Sequence, residues 1–169
     1  MRISVALVVM VGCSGGESPI EEVTVSGIRE PCLQFEAAMC LRMVSATGTE
    51  RTSSIEGFEP RWGIDADVRF HREQVEPVPD GPSELLILDE IVEERPSGFT
   101  EIPLGFPSSA PGVSWFSGDQ SPLLLSGITA VTCDDAVCSA ILEASQSGAA
   151  FTVTAEVLGD EHLRAIAVQ

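Results

Sequence analysis

The residues of this chain that could do chemistry are few, and most of them are carboxylates. Asp65-x-Asp67 puts two on one side of a candidate strand, with Asp89, Glu90, Glu93 and Glu94 close by in sequence. Paired carboxylates can hold calcium or do acid–base work. Arg69 and His71 continue the same side, however, as on a solvated strand surface. His71 and His162 are far apart, with no cysteine or second histidine at metal-ligand spacing, and each reads as an exposed strand residue. Trp62, Trp115 and Phe116 could line a sugar or peptide groove. For aromatics flanked by Gly and Pro, packing is the simpler expectation. No nucleophile elbow, zinc-protease helix, nucleotide loop or EF-hand is present. No catalytic residue, metal site or cofactor is therefore assigned.

The five cysteines are Cys13, Cys32, Cys40, Cys133 and Cys138. Cys13 stands apart, at the end of an apolar run. The other four allow three pairings, and sequence alone does not choose among them. The local one, Cys32 with Cys40 and Cys133 with Cys138, is favoured because each pair falls inside one candidate unit. A four-cysteine zinc site is the rival, but neither spacing is the two-residue knuckle of zinc ribbons.

Residues 1 to 13 run Met-Arg-Ile-Ser-Val-Ala-Leu-Val-Val-Met-Val-Gly-Cys. One positive charge, a short apolar stretch, a small residue and a cysteine form the layout of an export signal. The ending Met10-Val11-Gly12-Cys13 resembles the bacterial lipobox, which implies lipidation at Cys13 and removal of residues 1–12. Residues 13–19, rich in Ser and Gly, suit a tether. The plainer alternative is a first β-strand. Lipidation implies a cell-envelope, extracytoplasmic location and a membrane contact made through the lipid.

Behind these features stands an unusual composition. The 169 residues carry 26 acidic and 9 basic side chains, a formal charge of −17, and Lys, Tyr and Asn are absent. Those absences exclude a Schiff-base lysine, a P-loop lysine, a tyrosine general acid and N-glycosylation. The acidity repels phosphate backbones, so nucleic acid is not an expected partner. The Arg-only usage fits a high-GC genome, and a halophilic surface is the rival source of the charge.

The elements that must position these residues divide into two units. Residues 20–95 read as a small β domain: strands are expected over 22–28, 40–44, 64–70 and 85–92. Over 64–70, Ile64, Ala66, Val68 and Phe70 face one side. Residues 96–122 read as a Pro/Gly/Ser-rich connector, although its aromatics suggest that it packs against something. Residues 123–169 read as a β-α-β-β unit: a strand over 123–132, a helix capped by Asp134-Asp135 and stopped by Gly148, then a hairpin across Gly159-Asp160. Val137, Ala140, Ile141 and Ala144 form the helix's expected apolar face. The fold class is mainly β, α+β overall.

Residues 31–95 resemble a domain-of-unknown-function family of bacterial secreted lipoproteins, often found beside META (HslJ-like) domains. The residues that carry this are Ser54-Ile55-Glu56-Gly57-Phe58-Glu59-Pro60, Gly63 and the strand Val68-Arg69-Phe70. Cys32 with Cys40-Leu41-Arg42-Met43, and the turn Pro77 to Ser83 with Asp80, complete the match. The resemblance implies a small barrel-like antiparallel β domain in an envelope lipoprotein, and no activity. Independently of it, Gly57 is expected in a conformation closed to other residues, turning Phe58 into the core and leaving Glu56 in solvent. The functional expectation is a non-enzymatic binding or interaction module with a ligand or envelope-protein partner. A structural or stress-protective envelope protein, and an enzyme using the carboxylates at Asp65 and Asp67, are the rivals.

Overall fold

Alternation of apolar and polar residues builds most of this molecule. In a computed structural model, the described residues are 18–33, 37–76, 83–110, 113–159 and 162–169. The export segment with Cys13, the turn bearing Asp80, and Asp160 lie outside them.

Six antiparallel strands make the first sheet: β1 (Glu21–Val25), β2 (Glu30–Leu33), β3 (Ala37–Ser45), β4 (Gly48–Thr52), β5 (Ile64–Gln74) and β6 (Glu84–Pro96). β1 and β2 lie one after the other along β3, while β5 and β6 extend the sheet beyond β1. The chain breaks between β1 and β2 at Gly27, whose N–H donates to Asp65 Oδ1 at 2.8 Å and whose carbonyl accepts from Gly63 N–H. A Cβ on Gly27 would overlap the backbone of Gly63 and Ile64, so only glycine permits this approach.

The sheet curls into a half-barrel, and the segment after β4 draws its edges together. Glu56 N–H donates to the Leu86 carbonyl at 2.7 Å, and Leu88 N–H to the Glu56 carbonyl at 2.9 Å, a parallel bridge onto β6. Gly57 takes φ +83° at the turn that follows. Ile55 is buried inside the curl, and Phe58 packs against the same core with Val25, Met43, Val68 and Phe70. Glu56 stays exposed. The Ile55–Phe58 motif therefore closes the barrel-like sheet.

The second sheet has the order β7-β11-β12-β10-β9-β8. Its strands are β7 (Glu101–Phe106), β8 (Phe116–Ser117), β9 (Leu123–Leu125), β10 (Thr129–Thr132), β11 (Phe151–Gly159) and β12 (His162–Val168). Helix α1 (Asp135–Ser147) connects β10 to β11, and β12 then returns parallel to β10. Asp134 Oδ1 accepts from Val137 N–H at 2.9 Å at the helix start, and Gly148 ends it in a left-handed conformation.

Three expectations need correction here. Residues 101–106 and 116–117, expected within a connector, are strands β7 and β8. Ile102, Leu104 and Phe106 alternate inward, and Pro103 is tolerated because β7 is an edge strand, where the missing N–H forfeits no ladder bond. The strand expected over 123–132 is two, β9 and β10, folded back on each other at Ser126-Gly127. The unit is thus β-β-α-β-β. The helix also sits rotated from the expected face: Cys138, Ile141 and Ser145 are buried and Ala140 is exposed. The Cys133–Cys138 bond pulls the first turn inward, and Ser145 Oγ accepts from Trp115 N–H at 3.1 Å.

The two sheets share a core. Trp62 comes from the segment before β5, is only 1% exposed, and packs among the second sheet's residues. Its Nε1–H donates to Thr129 Oγ1 at 3.2 Å, so its polar edge is satisfied where it is buried. Around it Phe106 stacks on Phe151 with ring centroids 4.8 Å apart and meets Trp115 and Phe116 at 5.3 and 5.2 Å. Trp62, Trp115 and Phe116 pack in this core, as expected. Among the described residues no helix is long and apolar enough to cross a membrane.

Candidate functional site

The carboxylates that suggested chemistry are spent on partners. Asp67 is held by both Nη atoms of Arg95, at 2.5 and 3.1 Å, and by Thr24 Oγ1 at 2.6 Å. The Arg95 bonds, then the Thr24 bond, lower its pKa below the ordinary carboxylate value. Asp65 accepts the Gly27 N–H. Arg69 bridges Glu22 and Glu90, each at 3.0 Å. His71 Nδ1 lies 2.9 Å from Asp89 Oδ1, a cross-strand contact on β5 and β6 beside Ser18 and Ile20. His162 is exposed at the start of β12. Among the described residues, no group of three or more His, Cys, Asp or Glu side chains converges to hold a metal ion.

At one mouth of the half-barrel, Arg72 closes the core. Its guanidinium sits 5.6 Å from the Phe70 ring centroid and meets Glu21, Glu50 and Glu84 at 2.7, 2.8 and 2.9 Å. These carboxylates come from β1, β4 and β6, so one arginine ties three strands together. Its pKa is raised by the bonds to Glu50, Glu21 and Glu84, in that order.

The opposite charge balance occurs where the sheets meet. A cleft of about 900 Å³ opens between β2 on one side and β7 with β11 on the other. Arg29, Arg42 and Arg51 line it, with Glu30 as the single acidic side chain among the described lining residues. Its apolar walls include Ile28, Pro31, Phe106 and Phe151. Arg42 and Arg51 stand directly opposite each other on β3 and β4. Glu30 lies between them, its Oε1 3.7 Å from Arg42 and its Oε2 2.6 Å from Arg51. Arg29 donates to the Pro60 carbonyl and lies over the Trp62 ring, which fixes the back of the cleft to the shared core.

The cysteines pair locally. Cys32 and Cys40, Cα atoms 5.8 Å apart, are bonded diagonally across β2 and β3, and Cys133 and Cys138, 5.4 Å apart, join the end of β10 to the first turn of α1. The first bond has a consequence for the cleft. Glu30 stands opposite Cys40 in the β2–β3 register, so the bond holds Glu30 one diagonal step from Arg42. The motif residues Ile55, Glu56, Gly57 and Phe58 sit at the barrel closure, away from the cleft lining. Gly63 lies at the sheet junction, facing Val157 of β11.

Sequence reasoning gave the three cleft arginines no binding role, Arg42 standing only within the family match. One signal was available: residues 29–51 carry three arginines and three glutamates and are neutral, in a chain of charge −17. No protein-family model, curated protein or solved structure matches this chain.

Proposed function

We propose that this chain is an exported binding module of the cell envelope, anchored by lipid at Cys13 and carried on the short tether through residue 19. The lipobox-like ending Met10-Val11-Gly12-Cys13 supports the anchor. The likeness of residues 31–95 to the secreted-lipoprotein family of unknown function is part of the same proposal, and the curled sheet is compatible with it. The working surface is the cleft between the sheets, and a ligand or envelope-protein partner is taken there without chemical change.

The observation that carries this reading is the cleft itself: about 900 Å³ of open concave space, with charged groups converging on apolar walls, built mostly on strands. Of the carboxylates of the rival enzymatic reading, Asp67 is by contrast tied to Arg95 and Thr24, and Asp65 accepts the Gly27 N–H.

Two measurements test the proposal. Intact mass of the detergent-extracted protein should show acylation at Cys13, and a mature chain retaining Met1 refutes the anchor. Crosslinking in the native envelope tests the module, with a variant that fills the cleft as comparison. Gly105 lies in the lining, and a Cβ there meets open space, so Gly105→Trp plugs the cleft without straining the strand. The plug should abolish the captured species. Unchanged capture overturns the cleft as the working surface.

A further inference from the structure

We infer that the cleft receives an oxyanion, a carboxylate or a phosphate group, gripped by Arg42 and Arg51, with Glu30 as the internal competitor for that grip. This rests on the binding-module reading and adds the chemical class of the ligand. Two guanidinium groups directly opposite each other on neighbouring strands repel, and the Glu30 carboxylate between them offsets only part of that repulsion. Among the described residues Glu30 is the carboxylate paired with both, offering one oxygen to each arginine, so a positive charge is left over there. The side chains of Arg42 and Arg51 are 49% and 64% exposed, and most of their N–H donors remain available to a group in the cleft. A guanidinium presents these donors in a planar fork that matches carboxylate and phosphate oxygens.

The rest of the molecule sharpens the contrast. Arg72 meets three carboxylates, Arg69 meets two, and Arg95 is bidentate to Asp67. Against a chain charge of −17, the cleft is where the local sign reverses. Long-range repulsion turns away polyanions, whereas a small ligand of one or two charges reaches the arginines at short range. Ile28, Pro31 and Phe151 beside them would take an apolar body attached to the anionic group.

Nuclear magnetic resonance of the arginine side-chain N–H groups tests this on the full chain. Inorganic phosphate and succinate are titrated separately, each at constant ionic strength against chloride. Saturable shifts of the Arg42 and Arg51 signals are expected, and the tighter of the two probes identifies phosphate or carboxylate as the source. Glu30→Gln should tighten binding about 5-fold, and Arg42→Gln with Arg51→Gln should weaken it at least about 30-fold. Replacing both by Lys keeps charge without the fork and should recover only part of the affinity. Absence of a saturable shift with either probe, in wild type and in Glu30→Gln, overturns the proposal. If Gly105→Trp abolishes capture in the envelope but the double Gln variant does not, the oxyanion chemistry falls and the binding module stands. If Gly105→Trp leaves capture intact, the module reading is the one that falls.

Discussion

Two regions of the first sheet use arginine in opposite ratios. At the mouth of the half-barrel one guanidinium, Arg72, is surrounded by Glu21, Glu50 and Glu84. At the cleft, Arg42 and Arg51 share the one carboxylate of Glu30. The strands are common to both: β4 supplies Glu50 to the mouth and Arg51 to the cleft, adjacent residues that point to opposite sides. Where carboxylates outnumber the cation, its removal leaves negative groups facing one another, so the cation is structural. Where cations outnumber the carboxylate, the fold has more charge than it needs, and the surplus is available to something outside it.

The largest effect expected concerns what holds the cleft wall. Replacing Cys32 and Cys40 by Ser should cost about 2.5 kcal/mol by the chain-entropy account of an 8-residue separation. It should also weaken anion binding, because β2, one wall of the cleft, loses its tie to β3. Replacing Cys133 and Cys138 by Ser should cost a similar amount and leave anion binding unchanged, since that bond lies in the second sheet's helix connection. Urea denaturation and a phosphate titration on both variants check this, and equal effects on binding would erase the distinction between the regions.

Next comes Arg72→Gln, expected to destabilise by about 2 kcal/mol in urea denaturation. Three carboxylates from β1, β4 and β6 would then share the mouth without a counter-ion. At the cleft the corresponding change should be smaller. Arg42→Gln with Arg51→Gln removes a repulsive cross-strand pair but also leaves the partly buried Glu30 without its cations, so the loss should be about 1 kcal/mol, below that of Arg72→Gln.

The smallest effect is the acid limb of stability at Asp67. Its folded pKa lies below the ordinary 3.8 because of Arg95 and Thr24. Its contribution is therefore complete above pH 3.8 and is lost as pH falls through the lower folded value. Asp67→Asn should flatten the stability–pH curve in that acid window and leave a constant offset above it. A change of slope near neutral pH would place the effect elsewhere.

How much of this was legible beforehand depended on whether the cause was local. The alternation Ile64, Ala66, Val68 and Phe70 marks β5 and its buried side, because a strand's period is a property of its own residues. Asp134 and Gly148 mark the ends of α1 for the same reason. Gly57 needed its positive φ only to make a turn, and the turn was readable. Strand β7 was obscured by Pro103 and Pro107, since proline density in a linker and on an edge strand looks alike until the neighbouring strand is known. Trp62 reads as a residue of the first unit, yet it packs in the core of the second, a fact about how the sheets meet rather than about its neighbours in sequence. The cleft was hidden more deeply. Arg29, Arg42 and Arg51 come from the approach to β2, from β3 and from β4, and only the β2–β3–β4 pairing brings them together.

The central claim is that the cleft arginines serve a ligand while Arg72 serves the fold. Phosphate titrated in parallel into Arg72→Gln and into the Arg42→Gln, Arg51→Gln double variant, at a temperature where both are folded, tests it most directly. The Arg72 variant should bind as wild type does, although it is the less stable of the two, and the double variant should lose binding at a smaller cost in stability. Equal binding by the two variants, or loss confined to the Arg72 variant, would contradict it.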